Sequence, residues 1–191
     1  MKQQWRPGTM VYPLPAVLVS CGGSVEQSNL FTVAWTGTIC SDPAMLYISV
    51  RPERFSYDLI RQHMEFTINL TTESMAVATD KCGVVSGREH DKWKENNLTP
   101  MPGIKVKCPY VEESPLSIEC RVKSVLPLGT HHMFIAEVVN VLADEKFIDS
   151  KTGAFDLAAS GIMAYSHGGY YSLGEKLGKF GFSVQKNKRK N

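Results

Sequence analysis

A β-dominated barrel with helical insertions is the fold class that this 191-residue sequence predicts. Three observations predict it. Several short runs are rich in Val, Ile, Thr, Phe and Trp, two of them alternate apolar with polar, and Gly, Pro and Asp turn signals separate them. Helical periodicity is confined to a few short stretches. No strand-then-helix alternation and no internal repeat recurs, which argues against a doubly wound sheet. The length fits one compact domain over residues 1–191, at roughly 150 residues per domain. Hydrophobic residues at 43% and charged residues at 21% are globular values, far from the disordered regime.

The elements follow in order. Residues 1–13 are polar, punctuated by Pro7, Gly8 and Pro13, and read as an arm entering a strand at 16–21 that Gly22-Gly23 closes. Residues 30–40 have the composition of a strand pair or one bent strand, with a bulge expected at Gly37. Asp42-Pro43 turns the chain. Residues 45–51 alternate, with Leu46, Ile48 and Val50 on one face and Tyr47, Ser49 and Arg51 on the other, which gives the strand a wet or ligand-bearing side. Pro52 stops it, and Ser56 is expected to cap a helix running to about Met64, with Leu59, Ile60 and His63 or Met64 buried.

A strand is expected over 65–70, then a helix capped by Thr72 and ending near Cys82-Gly83. Residues 86–103 are polar and end in Pro100 and Pro102, so an irregular excursion with one short helix is expected. Residues 117–126 alternate again, Ile118, Cys120 and Val122 opposing Glu119, Arg121 and Lys123. Pro127-Leu128-Gly129 then joins this strand to a longer one over 133–142 as a hairpin. The remainder is mixed and glycine-rich.

Composition excludes several function classes. Twenty-one basic and nineteen acidic residues, formal charge +2, lie spread along the chain and give no footprint for nucleic acid. The cluster Lys186, Lys188, Arg189 and Lys190 reads as a solvated tail. Five widely spaced cysteines without Cys-x-x-Cys indicate neither a disulfide framework nor a zinc site, and suit a reducing, cytoplasmic setting. Leu18-Val19-Ser20-Cys21 looks like a lipoprotein processing box, but Pro13 and Pro15 interrupt the apolar stretch before it, and a first barrel strand is the plainer reading. No apolar run approaches the roughly 20 residues that span a bilayer, so no membrane is expected.

No Walker loop, zinc-protease helix or nucleophile elbow is present. What the chain offers is Arg51 beside Ser49 on one strand face, running into a helix start near Ser56. Unpaired N–H groups and partial positive charge at a helix start, with a guanidinium nearby, make a phosphate site, although an exposed Arg and an ordinary cap explain the same residues. Upstream, Asn29, Thr32, Thr36 and Thr38 interleave with Phe31 and Trp35, as a flat heteroaromatic ligand needs and as ordinary barrel packing also produces. His131 and His132 are adjacent and face opposite ways on a strand, so they do not chelate one metal, and no metal is expected. One of them facing a pocket could donate to an anionic flavin or a pyridine nucleotide.

Together, Asn29-Leu30-Phe31-Thr32-Val33-Ala34-Trp35-Thr36-Gly37, Ser41-Asp42-Pro43 and Ser49-x-Arg51 resemble the flavin reductase-like, FMN-binding split-barrel family, particularly its flavoredoxin-type branch. The likeness continues in Phe66-Thr67-Ile68-Asn69-Leu70, Cys82-Gly83-Val84-Val85-Ser86-Gly87, Asp91-Lys92-Trp93, Gly129-Thr130-His131 and Tyr171-Ser172-Leu173-Gly174-Glu175, covering nearly the whole chain. The resemblance implies a homodimer of split β-barrels that binds FMN non-covalently near the dimer interface, with the flavin doing the chemistry. Carried over by position, Asn29, Thr32, Ala34, Trp35 and Thr36 would line the isoalloxazine and ribityl chain. Ser49 and Arg51 would hold the phosphate with Ser56 at the helix start, and Ser86 and Gly87 would approach from the next loop.

His131 matches the family histidine near the nicotinamide and would be the catalytic residue positioning NAD(P)H. The family usually has an acidic residue before it, where this chain has Thr130. The implied function is an oxidoreductase moving electrons from NAD(P)H or a reduced partner through FMN to flavin, ferric or protein acceptors. Thr130 keeps alive an FMN electron carrier without its own reductase activity, and the Leu18 to Cys21 match keeps a non-flavin lipoprotein module. Cys82, beside the proposed loop, reads as a buried structural cysteine.

Overall fold

The computed structural model describes residues 1–184; the basic tail lies outside the described residues. After the arm, β1 (Leu14–Pro15) and β2 (Val17–Gly22) are followed by β3 (Ser28–Val33), β4 (Thr36–Ser41) and β5 (Ala44–Val50). Helix α1 (Phe55–His63) leads into β6 (Glu65–Leu70). A 3-10 turn at Glu73–Met75 opens α2 (Ala76–Val84), and α3 (Lys92–Glu95) is the one short helix of the excursion. Two-residue strands β7 (Pro100–Met101) and β8 (Tyr110–Val111) precede the long hairpin of β9 (Leu116–Pro127) and β10 (His132–Ala143). A last hairpin, β11 (Met163–Ser166) and β12 (Gly169–Ser172), joins β1 in a separate sheet.

Seven strands form the main sheet in the order β3-β2-β6-β9-β10-β5-β4, antiparallel at every pairing. Its two edge strands, β3 and β4, are separated in sequence by Ala34 and Trp35 alone. That link reaches about 10 Å at full extension, so the sheet has to curl until its edges meet. The Trp35 carbonyl accepts from the Ser49 N–H at 2.9 Å and ties the link to β5. The expected barrel with helical insertions is therefore the observed one, and residues 30–40 are a strand pair lying on opposite edges. Gly37 is regularly paired with Tyr47; the irregularity in that ladder falls between Thr38 and Cys40. A Cβ on Gly37 would approach the Tyr47 ring to 3.2 Å, so the glycine makes room for that ring.

Inside the barrel, Val17, Val19, Ile48, Phe66 and Phe134 form one buried cluster with Ile60 of α1. Burying each such side chain contributes roughly 1.5–3 kcal/mol. Leu18, Leu30, Met75, Cys82, Trp93 and Val111 form a second cluster outside the sheet, roofed by α2 and α3. β2 is thus buried on both faces, which explains its unbroken apolar sequence. Leu18 and Cys21 lie within this doubly paired strand, as the strand reading of the lipobox-like tetrad expects.

Three local expectations are corrected. Arg54, not Ser56, is the N-cap residue of α1; Ser56 lies in its first turn and is buried. Thr72 precedes the 3-10 turn and makes no side-chain cap bond to it. Glu119, expected outward with Arg121 and Lys123, is fully buried because the loop after β7 folds over that face of β9. Its carboxylate accepts from the N–H groups of Ile104 (2.6 Å) and Lys105 (2.9 Å) and from Asn140 Nδ2 (3.0 Å). Glu119→Ala should strand three donors and destabilise the chain by about 3 kcal/mol in urea unfolding. A loss under about 1 kcal/mol would show that the loop is held by other contacts.

Candidate functional site

Barrel closure at Ala34 and Trp35 opens a cleft of about 310 Å³ beside the link. Thr32, Ala34 and Trp35 form one wall, Ser49 and Arg51 the next, and His131 of the β9–β10 turn stands at the rim. Tyr165 and Tyr170 of the last hairpin, with Asp80 and Val84 of α2, complete the mouth. Tyr170 donates to Asp80 Oδ1 at 3.2 Å, and burial with that carboxylate pushes its phenol up to about 12, so it stays protonated.

A second recess of about 320 Å³ adjoins the cleft on the side of α1, called the inner recess below, sharing Phe31, Thr32, Arg51, Arg54 and Gly83 with the first. Its character is cationic. Arg51, Arg54, Arg88 and Lys92 all line it, with Glu53 as the acidic lining residue. Arg51 Nη2 lies 2.9 Å from Glu53 Oε1. Arg88 is held over the Phe55 ring at 5.5 Å and donates to the Glu53 carbonyl. Lys92 is only 4% exposed, and its ammonium donates to the Cys82 carbonyl at 2.8 Å. Burial, and secondarily Arg54, push its pKa down, while Cys82 opposes the shift. A buried ammonium beside a guanidinium is a group that a bound anion stabilises. The first turn of α1 at Phe55 and Ser56 adds unpaired N–H groups.

The backbone approaches closely here. A Cβ on Gly87 would meet Asn29 Oδ1 at 2.2 Å and Phe55 Cδ1 at 2.9 Å, and one on Gly83 would press on Thr32 Cβ at 3.2 Å. Asn29 cannot give way easily, since it is buried and its Nδ2 donates to Ser56 Oγ at 2.7 Å.

Of the residues singled out in the sequence, Thr32, Ala34, Trp35, Ser49, Arg51 and His131 line the outer cleft. Asn29, Thr32, Arg51, Ser56, Ser86 and Gly87 line the inner recess. Thr36 lines neither; it is buried and its hydroxyl donates to the Tyr47 carbonyl at 2.6 Å, fixing β4 to β5. Ser49 lies apart from the inner recess, so Ser49, Arg51 and Ser56 do not form one cradle; Arg51 alone spans both spaces. Sequence reasoning passed over Arg54, Arg88 and Lys92. The signal was present for Lys92, in the Asp91-Lys92-Trp93 motif, but a lysine in a polar stretch reads as solvent-exposed.

The two histidines face opposite ways, as expected. His132 packs edge-on against Tyr57 and shares a 2.7 Å hydrogen bond with its hydroxyl. His131 Nδ1 lies 3.0 Å from Thr130 Oγ1. Partial burial, then the Arg51 charge, lower the His131 pKa against a weaker opposite pull from Glu53, so the ring is neutral at pH 7. Among the described residues no cluster of His, Cys, Asp and Glu could hold a metal ion, and no helix is long and apolar enough to cross a membrane.

The curled seven-stranded sheet with helical insertions is a fold this chain shares with a split-barrel flavin reductase of Shewanella frigidimarina, at a TM-score of 0.77 and 24% identity over 87% of this chain and 85% of the other. Residues 9–174 match the family model described as the flavin reductase like domain, and the chain belongs to that family. It superposes on the flavoredoxin of Desulfovibrio vulgaris with a TM-score of 0.89 at 30% identity, over 97% of this chain and 100% of the other. The flavoredoxin of Methanosarcina acetivorans gives 0.85 at 25% identity, again over 97% and 100%. An NADH-dependent FMN reductase of Streptomyces nodosus is 28% identical over 123 residues, 64% of this chain and 65% of that protein.

Gly87→Ala should push Asn29 from Ser56 and cost about 2 kcal/mol in chemical denaturation, whereas an unchanged midpoint would mean that the loop moves aside freely. His131 should titrate below the ordinary histidine value of about 6.5, followed by imidazole NMR. Because the folded state holds the lower pKa, this histidine takes up its proton more readily when unfolded. Its contribution therefore lowers stability as pH falls through that window and has none of this effect above it. Arg51→Ala should raise the value part of the way back, burial being the larger cause.

Proposed function

We propose that the chain binds FMN non-covalently across the joined cleft and recess and works as an oxidoreductase. Electrons would arrive from NAD(P)H or a reduced partner and leave to free flavin, ferric complexes or another protein. One observation carries this reading: a recess lined by Arg51, Arg54, Arg88 and buried Lys92 opens directly into a cleft walled by Ala34, Trp35 and Tyr165. A phosphate monoester joined by a short polar chain to a flat ring has that distribution of charge and apolar surface, and each space is of the usual order for small-ligand sites. The similarity to two flavoredoxins supports it. When bound, FMN supplies the centre that accepts and releases electrons, and no protein nucleophile is required.

The chain's own residues would bind and orient. Arg54, Arg88 and Lys92, with Arg51 and the first N–H groups of α1, would hold the phosphate in the cationic recess, which Ser49 does not line. Thr32 lines both spaces and Ser49 the outer one, and their hydroxyls would suit the ribityl chain. Ala34 and Trp35 would back the ring, with Thr36 positioning the link from behind. Asn29 and Ser56 would shape the recess through their mutual hydrogen bond, and Ser86 and Gly87 would bring backbone close to the cofactor. His131, whose Nδ1 shares a hydrogen bond with Thr130 Oγ1, would offer a ring N–H to a nicotinamide amide at the rim. A homodimer fits the exposed apolar side chains beside the mouth, Val84 and Tyr171 among them.

A second reading, an FMN electron carrier reduced only by a protein donor, is favoured by Thr130, which gives His131 a hydroxyl partner in place of an acid. Anaerobic mixing with NADPH and NADH separates the two: bleaching of the flavin absorbance supports the reductase, and its absence with a chemically reducible flavin leaves the carrier.

The purified protein should be yellow and release FMN on heating. Lys92→Met and Arg51→Ala should each weaken FMN binding about tenfold or more, measured by flavin fluorescence titration, since each removes a charge-assisted hydrogen bond. A colourless protein that takes up no FMN, or unchanged affinity in both variants, would sink the assignment.

A further inference from the structure

Once a phosphate is bound, the two spaces differ in the charge they have left. Arg51 and Arg54 line both, so a phosphate in the inner recess takes up the cations of the outer cleft as well. His131 is neutral near neutral pH. Asp80 lines the outer cleft alone, and it is the one acidic residue among those lining it. We propose that Asp80 sorts by charge what enters beside the flavin, so that the acceptor taken at the mouth is an uncharged or cationic flat aromatic molecule; the proposal rests on the flavin reading above.

The carboxylate is held in place without being neutralised. Tyr170 of the last hairpin donates to its Oδ1 at 3.2 Å, and a phenol steadies a carboxylate while leaving its charge. Behind it, the Tyr170 ring packs 5.6 Å from that of Tyr165, its cross-strand partner, and Tyr165 lies 6.2 Å from Tyr12 of the arm. The hairpin turns through His167 and Gly168, both at positive φ, a tight connection that fixes how Tyr170 is presented. Tyr170 is thus a positioning residue. Among the described residues no basic side chain pairs with Asp80, and its neighbour Lys81 is engaged with Glu95 at 2.9 Å. Trp35, Tyr165 and Tyr170 supply aromatic surface in the same cleft, which suits a flat ring. A carboxylate there raises the local concentration of cations and lowers that of anions, by a factor that salt reduces. Riboflavin and aromatic quinones meet this condition, whereas free FMN and iron held by carboxylate chelators do not.

The test titrates oxidised, FMN-loaded full-length protein with three rings of one shape, para-nitrobenzamide, para-nitrobenzoate and para-nitrobenzamidine, and follows the absorbance of the bound flavin. No turnover intervenes, because flavin and nitroarene both start oxidised. The amide should bind about fivefold or more tighter than the benzoate, and the amidine at least as tightly as the amide. Raising the ionic strength from about 0.01 M to about 1 M cuts the Debye length from about 30 Å to about 3 Å and should bring amide and benzoate within about twofold. Asp80→Asn should do the same at low salt. Tyr170→Phe, which keeps the ring and frees the carboxylate, should reduce the preference about twofold or more, and an unchanged preference there overturns its positioning role. FMN content reports that each variant is folded. A benzoate bound as tightly as the amide, a preference untouched by Asp80→Asn or by salt, or no binding of any of the three overturns the charge selection and leaves the FMN reading standing. Protein that takes up no FMN overturns that reading and the selection with it.

Discussion

The meeting of the two sheet edges across Ala34 and Trp35 is the constraint on which the rest depends. Because the link is so short, β3 and β4 cannot drift apart, and the carbonyl of Trp35 is held by β5. That closure brings the polar face of β5, with Ser49 and Arg51, beside the ends of β3, and lets α1 begin where β5 stops. The site is a consequence of how the barrel shuts. Thr36, which touches neither recess, matters through this closure, since its hydroxyl bonds the β5 backbone immediately after the link.

Electrostatics in the recess run against stability. Four cations line one space with Glu53 as their acidic neighbour, and Lys92 is nearly without solvent. Taking the Lys92 ammonium from water costs free energy, whereas Arg51, Arg54 and Arg88 are exposed, so solvent screens their mutual repulsion. The fold carries this cost by fixing each group: Lys92 on a carbonyl, Arg88 over an aromatic ring, Arg51 on Glu53. A buried ammonium in a cleft beside exposed guanidinium groups is the arrangement expected where an anion binds.

Much of this was legible in the sequence, and the reasons for the rest are physical. Strand composition located β2, β5, β6, β9 and β10 within a residue or two, because alternation reports which face is buried. Alternation failed at Glu119, where a distant loop covers a face that local pattern marks as wet. Ser56 looked like a cap because capping residues and first-turn residues share the same chemistry, and its hydroxyl turned out to be committed to Asn29 across the structure. In the same way Arg54, Arg88 and Lys92 come from three separate segments, and nothing in a linear pattern says that they converge. The ordered motifs marked the region; only the closed barrel divides it into an aromatic half and a cationic half.

Several titratable side chains in and near the site are held in their neutral forms. Burial pushes the thiols of Cys21 and Cys108 up to about 12 and that of Cys82 to about 11, despite Lys92 and Lys81 pulling the last one down. Cys120 moves in the same direction. None of these presents a thiolate at neutral pH, so Cys82, although beside the recess, is a packing residue and not an exchange partner. At the mouth, His131 is neutral and Tyr170 protonated over the same range, the first because burial and Arg51 disfavour a further charge, the second because burial and then Asp80 do. Cations thus line one space and an aromatic, apolar wall the other, and Cys82, His131 and Tyr170 add no further charge near neutral pH.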